Sequence, residues 1–246
     1  MKVSRIALVV LTGLYAVLWF GGVVSYLFLG GPPSQAAWTA PAFLALAAVL
    51  ALVVSPAPEW PILLGSAALG FAAEALGVAT GFPFGRYHYT ATLFPQVLGV
   101  PVVMAAAWLV LFAYVRQMAR SPLAAAAWMT AIDLVIDPLA AKTLNYWVWD
   151  NAGPYYGIPW SNFAGWFVVS LALFMLPRKC AAPNPWAGGL GLSVVLFFTV
   201  IGLGTGLKLA GAVGLGLVIL HAARGWPGAR QSARNTASIP PDSPSR

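Results

Sequence analysis

Charge is what this sequence has least of. Asp, Glu, Lys and Arg together make up 8% of its 246 residues, whereas 60% are hydrophobic. Soluble globular domains carry about 25% charged residues. A chain with so few charges cannot cover a folded core with polar side chains. This excludes an ordinary soluble domain and indicates that lipid is the main solvent.

Cysteine and histidine are also scarce. Cys180 is the only cysteine, which excludes an internal disulfide and a metal cage built from cysteines. The two histidines, His88 and His221, lie far apart without neighbouring cysteines, so they form no recognisable zinc motif. The sequence also lacks a glycine-rich phosphate loop in a useful context and a nucleophile elbow of the hydrolase type. It therefore predicts neither a metal nor an organic cofactor.

Apolar runs dominate what is present. They are separated by Gly- and Pro-containing breaks and cover eight segments: 6–29, 36–54, 60–80, 97–115, 122–144, 162–177, 187–205 and 207–223. The first run is longer than the apolar core of a cleaved signal peptide, which favours a retained helix. The sequence predicts an all-α, polytopic membrane bundle of about eight transmembrane helices in a single domain, 1–224. A disordered cytoplasmic tail is predicted at 225–246, and the division of the last apolar stretch into one or two helices stays open.

The net charge of +7 does not indicate a nucleic-acid partner, because the basic residues stand singly or in pairs at the ends of apolar runs. With eight helices and a cytoplasmic N-terminus, ten basic residues lie inside: Lys2, Arg5, Arg116, Arg120, Arg178, Lys179, Arg224, Arg230, Arg234 and Arg246. Only Arg86, Lys142 and Lys208 then lie outside. This positive-inside bias predicts a multi-pass protein of the cell membrane with both termini in the cytoplasm.

Two segments predicted on the outer face, 81–90 and 145–163, are dense in aromatic residues. Trp and Tyr collect at headgroup level in any membrane protein, so an interfacial belt is the simpler interpretation. That interpretation explains less well why polar residues are mixed with the aromatics: Arg86, His88, Asp150, Asn151 and Asn162. A functional surface on this side accounts for both.

Three of the six acidic residues fall inside predicted helices: Glu74, Asp133 and Asp137. A carboxyl at the bilayer centre costs about 3 kcal/mol on insertion scales, so it indicates a functional site by default. Asp133 and Asp137 are four residues apart and therefore share one helix face. Pro138 follows at once and is expected to free a backbone carbonyl near them.

Glu74 and Asp137 each lie roughly 10 Å below the outer interface, counted at the 1.5 Å rise of a helix. Because the third and fifth helices run in the same direction, the three acids are predicted to meet under the two aromatic segments. Desolvation disfavours the ionised form, so one acid is expected to be neutral at pH 7 and able to donate a proton. The structural alternative pairs Glu74 with Arg86, and Asp133 or Asp137 with Lys142.

Three motifs together carry a resemblance to a known family: GFPFGRYHYT at 81–90, DLVIDP at 133–138 and YYGIPWSNFAGW at 155–166. They are similar to the CruF-type carotenoid biosynthesis proteins, which are membrane carotenoid 1,2-hydratases and their relatives, including hydratases of bacterioruberin synthesis. The resemblance covers the core from about residue 60 to 175. It implies a carotenoid substrate, no redox cofactor, and other carotenoid biosynthesis enzymes as candidate partners.

The implied reaction adds water across the terminal C1–C2 double bond of an acyclic carotenoid end group, as in γ-carotene or lycopene. An acid must protonate the alkene, aromatic faces can stabilise the resulting cation, and a base must take a proton from water. Asp137 or Asp133 is the candidate acid and Glu74 the candidate base. The candidate substrate-binding residues are Arg86, Tyr87, His88, Trp147, Trp149, Tyr155 and Asn162, the last of which would hold the water.

Other functions remain open at this point. An intramembrane prenyltransferase also uses an Asp-x-x-x-Asp cluster, although such enzymes generally need two Asp-rich motifs. A proton-coupled transporter would use buried acids as a relay, and a non-catalytic carotenoid-binding protein would need them only for folding. The sequence does not fix the carotenoid, the roles of the individual acids or the oligomeric state.

Overall fold

The computed structural model describes residues 4–176 and 181–224, and within them the chain forms eight α-helices. They are α1 (Arg5–Phe28), α2 (Thr39–Val54), α3 (Trp60–Thr80), α4 (Val103–Met118), α5 (Pro122–Lys142), α6 (Trp160–Met175), α7 (Pro185–Gly204) and α8 (Lys208–Ala223). The predicted all-α membrane bundle is confirmed. The predicted tail at 225–246, Lys2 and the segment that holds Arg178, Lys179 and Cys180 lie outside the described residues.

Five helical stretches are long and apolar enough to cross a membrane: Arg5–Phe28, Ser34–Val54, Ala57–Thr80, Pro122–Lys142 and Pro185–Gly204. The second and third of these include a 3₁₀ turn before α2 and α3. The other three helices, α4, α6 and α8, are also apolar but have 16 residues each. A helix of that length spans about 24 Å, somewhat less than a bilayer core.

Helix α4 lies at the centre of the bundle and α1 at its edge, as the burial of their side chains shows. Every residue of α4 from position 108 to 115 is buried, because α2, α3, α5 and α7 all pack against this helix. In α1, by contrast, Tyr15 is the one buried residue. The first helix therefore lies at the edge of the bundle, with most of its apolar surface facing outward.

Local sequence explains where several helices begin and end. Ser121 and Asn184 accept hydrogen bonds from the backbone amides of Ala124 and Ala187, and each precedes a proline at the first helical position. At the other end of α3, Gly81 ends the helix in the left-handed conformation (φ 82°). These caps fix α3, α5 and α7 close to their predicted bounds.

The last apolar stretch is divided into two helices. The break spans 205–207, where Gly206 has a φ of 87° and the backbone turns. Close packing of α7 against α8 follows, because Gly211 and Gly214 leave room for Leu203 and Thr199 of the facing helix. Small residues at such contacts allow the two backbones to approach.

The connection between α3 and α4 contains short strands where the fourth helix was predicted to begin. Instead of helix from residue 97, β2 (Gln96–Val97) pairs antiparallel with β3 (Val100–Pro101). The two residues between them, Leu98 and Gly99, both have positive φ angles, of 54° and 77°. Such a two-residue turn matches the twist of a hairpin, which delays α4 to Val103.

Two further strands join the aromatic segments that were predicted as loops. Strand β1 (Tyr87–Tyr89) precedes the β2–β3 hairpin, and β4 (Trp147–Trp149) follows α5. They pair antiparallel, with Tyr87 opposite Trp149 and Tyr89 opposite Trp147. This ribbon joins the two aromatic segments over the ends of the helices.

On the opposite side of the bundle, Glu59 lies in the turn before α3. Its carboxylate forms an ion pair with Arg116, whose side chain is only 9% exposed. The pair joins the start of α3 to the end of α4, since an arginine so deeply covered requires a partner for its charge.

Packing of α3 against α4 depends on Gly70. A Cβ at this position would lie 2.2 Å from Cγ of the fully buried Trp108, whereas a Cβ at Gly65 of the same helix would meet nothing within 4 Å. We therefore expect Gly70→Ala to destabilise the protein by about 1–3 kcal/mol through overpacking. Gly65→Ala is expected to be neutral or stabilising by up to about 1 kcal/mol, because alanine favours helix. Thermal unfolding in detergent measures both, and equal stability of the two variants would contradict the tight contact.

Candidate active site

The structure brings the three intramembrane acids together. Glu74 on α3 and both Asp133 and Asp137 on α5 are at most 4% exposed and line one cavity of about 20 Å³. A cavity of this size holds about one water molecule. It lies directly beneath the β1–β4 ribbon, whose aromatic side chains form its roof.

A single amide group joins the two aspartates. The Asn162 Nδ2 atom donates to Oδ2 of Asp133 and to Oδ2 of Asp137, at 2.7 Å in each case. The two acids lie four residues apart on one face of α5, so Asn162 on α6 reaches both. Asp137 also accepts from the indole Nε1 atoms of Trp147 at 2.6 Å and Trp149 at 3.4 Å.

Glu74 is held by three donors of its own. Its Oε2 atom accepts from the hydroxyls of Tyr87 at 2.5 Å and Tyr89 at 2.9 Å. Its Oε1 atom accepts from the indole Nε1 of Trp108 at 3.2 Å. The carboxyl is therefore fully coordinated by neutral aromatic groups, which fix its orientation towards the aspartates.

The alternation of the β1–β4 ribbon decides which aromatic side chains reach the acids. Successive strand residues point to opposite faces, so Tyr87, Tyr89, Trp147 and Trp149 all lie on the inner side. Arg86 and His88 are exposed instead. The His88 Nδ1 atom lies 3.3 Å from Oδ1 of Asp150, also on the outer surface. Neither Arg86 nor His88 lines the cavity, although both were predicted to bind substrate.

The ion pairs of the structural alternative are not formed. Among the described residues, no Lys or Arg nitrogen lies within 4.0 Å of the carboxylate oxygens of the three acids; the pairs found are Arg116–Glu59 and His88–Asp150. Arg86 and Lys142 are therefore not the partners of the acids. Three ionised carboxylates buried together without a cation would be very costly.

Tyr155 has a different place from the one predicted. Its hydroxyl donates to the backbone carbonyl of Leu134 at 2.9 Å. Pro138, four residues on, has no N–H to bond that carbonyl, so Tyr155 supplies the missing donor near the aspartates. Burial raises the pKa of Tyr155 to about 12, which keeps the hydroxyl protonated. The Tyr155 ring packs on Phe163 and does not line the cavity.

Five residues of the site were missed from the sequence: Phe84, Tyr89, Met104, Trp108 and Trp166. Trp108 stacks on Trp166 with ring centroids 4.3 Å apart and an angle of 8° between the planes, and Trp166 lines the cavity. The alternating pattern Tyr-x-Tyr opposite Trp-x-Trp indicates Tyr89 once the two segments are paired. Trp108 lies within a long apolar run, and nothing in the sequence distinguishes it from an ordinary core residue.

No group of three or more His, Cys, Asp and Glu side chains in the described part of the chain is arranged to hold a metal ion. Asn162 bridges Asp133 and Asp137, whereas Glu74 accepts from a separate set of donors, Tyr87, Tyr89 and Trp108. A reaction without a metal or cofactor stays a prediction.

Fold and site together define a helical membrane protein with a buried cluster of carboxyl groups enclosed by aromatic rings. Residues 36–222 match the family model described as carotenoid biosynthesis protein, so the chain belongs to that family. It is also 33% identical to the bisanhydrobacterioruberin hydratase of Haloarcula japonica, over 41% of this chain. The match spans 39% of the relative's length. No solved structure matches the chain.

Proposed function

We propose that the protein is a carotenoid hydratase, which adds water across the terminal C1–C2 double bond of an acyclic carotenoid end group. Lycopene and γ-carotene are the proposed substrates. The observation that carries the proposal is the buried cluster of Glu74, Asp133 and Asp137 around a cavity for about one water, with no Lys or Arg of the described residues paired to it. The family of the chain and the hydratase among its relatives support the same reaction class.

The first step is transfer of a proton from a neutral carboxyl to C2. The π electrons of the double bond form the new C–H bond, which leaves a tertiary cation at C1. Asp133 is assigned as the donor because, within residues 4–176 and 181–224, it accepts one hydrogen bond, from Asn162, whereas Asp137 accepts three. Fewer donors leave the anion of Asp133 least stabilised, so this acid is the one that holds the proton.

The aromatic roof suits the cation. Tyr87, Trp147 and Trp149 line the cavity together with Trp166, and aromatic faces attract positive charge, the more so when water is excluded. The cation is formed next to the carboxylate that has lost its proton, so the charge at C1 is balanced within the site.

The second step is attack of the enclosed water on C1. The oxygen forms the C–O bond, one water proton passes to a carboxylate, and the product is a tertiary alcohol. Glu74 is the proposed base, since three donors stabilise its ionised form. Return of that proton to Asp133 restores the site. The sum is alkene plus water, with no electrons transferred.

Expression in cells that accumulate lycopene tests the proposal. A product heavier by one water, with one deuterium at C2 when the purified protein reacts in D₂O, is the expected result, and a chelator should not abolish it. A longer carbon skeleton that requires magnesium and a diphosphate substrate would indicate a prenyltransferase. Unchanged pigment from well-folded protein would favour a transporter or a non-catalytic binding protein.

We also propose that the bundle crosses the cell membrane with both termini in the cytoplasm. Eight crossings return the chain to its starting side, and the positive-inside bias sets the orientation. A reporter that is active only outside the cytoplasm should be inactive after residue 246 and active after residue 205, between α7 and α8. Activity of the fusion at residue 246 would contradict this topology.

A further inference from the structure

Three cavities follow one another from the edge of the bundle to the acids. A large cavity of about 340 Å³ lies between α1, α2 and the end of α7. A middle cavity of about 40 Å³ lies among α2, α4, α5 and α7. Leu44, Tyr146 and Phe198 line both of these, and Met104 and Trp147 line both the middle cavity and the acid cavity. These shared side chains stand between neighbouring cavities, so that their movement would join the three cavities into one path.

We propose that this path is the binding channel for the linear polyene chain of the substrate, with the terminal double bond at the acids and the rest of the chain directed towards α1. The channel rests on the proposed function, because it assigns to the same site the part that holds the unreactive hydrocarbon. Its occupant is the acyclic polyene chain of an isoprenoid hydrocarbon, which enters from the lipid phase.

The chemistry of the walls fits such an occupant. The middle cavity is enclosed by apolar side chains, with Tyr146 and Trp147 as the residues that carry a polar atom. A polyene offers no hydrogen-bonding group, so apolar walls bind it without leaving a donor or acceptor unpaired. Carboxyl groups occur at one end of the path, which orients the reacting double bond towards Asp133 and Asp137.

The other end of the path opens at the surface of the bundle. On the large cavity's rim, Val17 is 69% and Trp38 56% exposed, whereas Phe43 and Phe197 on its inner wall are 5% and 7% exposed. The rim belongs to α1 and to the segment before α2, and α1 is the peripheral helix. A hydrocarbon dissolved in the membrane therefore enters here without crossing water.

The middle cavity and the acid cavity, of about 40 and 20 Å³, are the narrow parts, and Met104 is the gate between them. The large cavity lies in the range of about 300–1,000 Å³ typical of ligand sites, but about 40 Å³ does not admit a polyene without movement. Trp147 is held by its hydrogen bond to Asp137. Met104 on α4 has an unbranched, flexible side chain and stands at the junction with the acids, so its rotation opens the path.

Filling the channel tests the proposal, and α1 offers a matched pair of sites. Gly21 and Gly13 are both exposed, and an added Cβ meets nothing within 4 Å at either one. Gly21 lines the large cavity, whereas Gly13 does not. Gly21→Leu is expected to weaken binding of an acyclic carotene and to lower kcat/KM by about tenfold. Gly13→Leu should behave like the wild type.

A second pair places the obstruction in one of the narrow parts. Ala107 lines the middle cavity, and Ala105, on the same helix and also partly exposed, lines none of the three. Ala107→Val should reduce binding and turnover by at least about tenfold, whereas Ala105→Val should not. If Ala107→Val fails to fold, the comparison of Gly21→Leu with Gly13→Leu decides alone, because open space surrounds both glycines.

Binding and turnover are measured separately on full-length protein in phosphatidylcholine nanodiscs. Lycopene retained after gel filtration, together with quenching of tryptophan fluorescence by the polyene, reports binding, and the hydroxylated product reports turnover. If folded Gly21→Leu and Ala107→Val bound and converted lycopene like the wild type, the channel proposal would be refuted and the proposed hydratase function would not be affected. Binding that both variants weaken, with no hydroxylated product from the wild type, would support the channel and refute the proposed function.

Discussion

Replacing Asp133 by Asn is expected to lower the rate of hydration by about 10²–10⁴-fold, the usual contribution of a positioned general acid. The substitution keeps the size of the side chain and an oxygen that accepts from Asn162 Nδ2. It removes the proton that must reach C2 of the alkene. Product formation per folded protein, measured on detergent-purified material, gives the effect.

Glu74→Gln and Asp137→Asn complete the series and separate chemistry from folding. Each acid is held by neutral donors, and none of the three pairs with Arg86 or Lys142. We therefore expect Asp133→Asn, which replaces a neutral carboxyl, to keep yield and thermal stability close to the wild type, since a neutral carboxyl and an amide pay similar desolvation costs. Glu74→Gln is expected to cost about 1–3 kcal/mol of stability, because the three donors bond an amide less strongly than an ionised carboxylate. Full activity in all three variants would end the proposal of acid catalysis at this cluster. Loss of folded protein in all three variants would indicate that the acids are needed for folding.

Asn162→Leu is expected to lower kcat/KM by about 10²–10³-fold, the effect of removing one preorganised donor from an active site. Leucine is close to asparagine in shape but cannot donate. The substitution breaks both 2.7 Å hydrogen bonds that hold Asp133 and Asp137 side by side. Asp133 then loses the one hydrogen bond that its carboxyl accepts from the described residues, so we expect the unfolding free energy to fall by about 1–3 kcal/mol as well.

Ser170 provides the matched control on the same helix. It is fully buried like Asn162, but its hydroxyl has no hydrogen-bond partner within the described residues. Ser170→Ala should therefore leave activity unchanged and stability equal or higher, because it removes a buried polar group that is not satisfied. If Asn162→Leu kept wild-type kcat/KM at temperatures where it is folded, the bridging amide would have no part in the reaction.

Much of this protein was determined by its sequence. An 8% charged content and eight apolar runs define the membrane bundle, because helices are the structures that satisfy every backbone group in lipid. Caps such as Ser121 and Asn184 fix helix starts through contacts within a few residues. That Glu74 and Asp137 meet at one level of the bundle also follows from the sequence, since both lie a few residues before the end of their helices and the rise per residue is constant.

Only the tertiary structure decided how the site is closed. Pairing of β1 with β4 joins segments on either side of two helices, and its register places Tyr89 inside and His88 outside. A shift by one residue would exchange these faces, and local periodicity does not reveal the register. Trp108 reaches Glu74 because Gly70 lets two helices approach.

The tertiary structure also decided which polar groups form hydrogen bonds or ion pairs with one another. Arg86 and Lys142 are close in sequence to the acids but do not pair with them, because strand alternation and helix ends direct them elsewhere. Tyr155 donates to the Leu134 carbonyl that Pro138 leaves without a partner. The sequence shows that this carbonyl needs a donor, but it does not show which residue supplies it. The cavities between α1 and the acids are lined by side chains from seven helices, α1 to α7, and the space between helices is fixed only when they pack together.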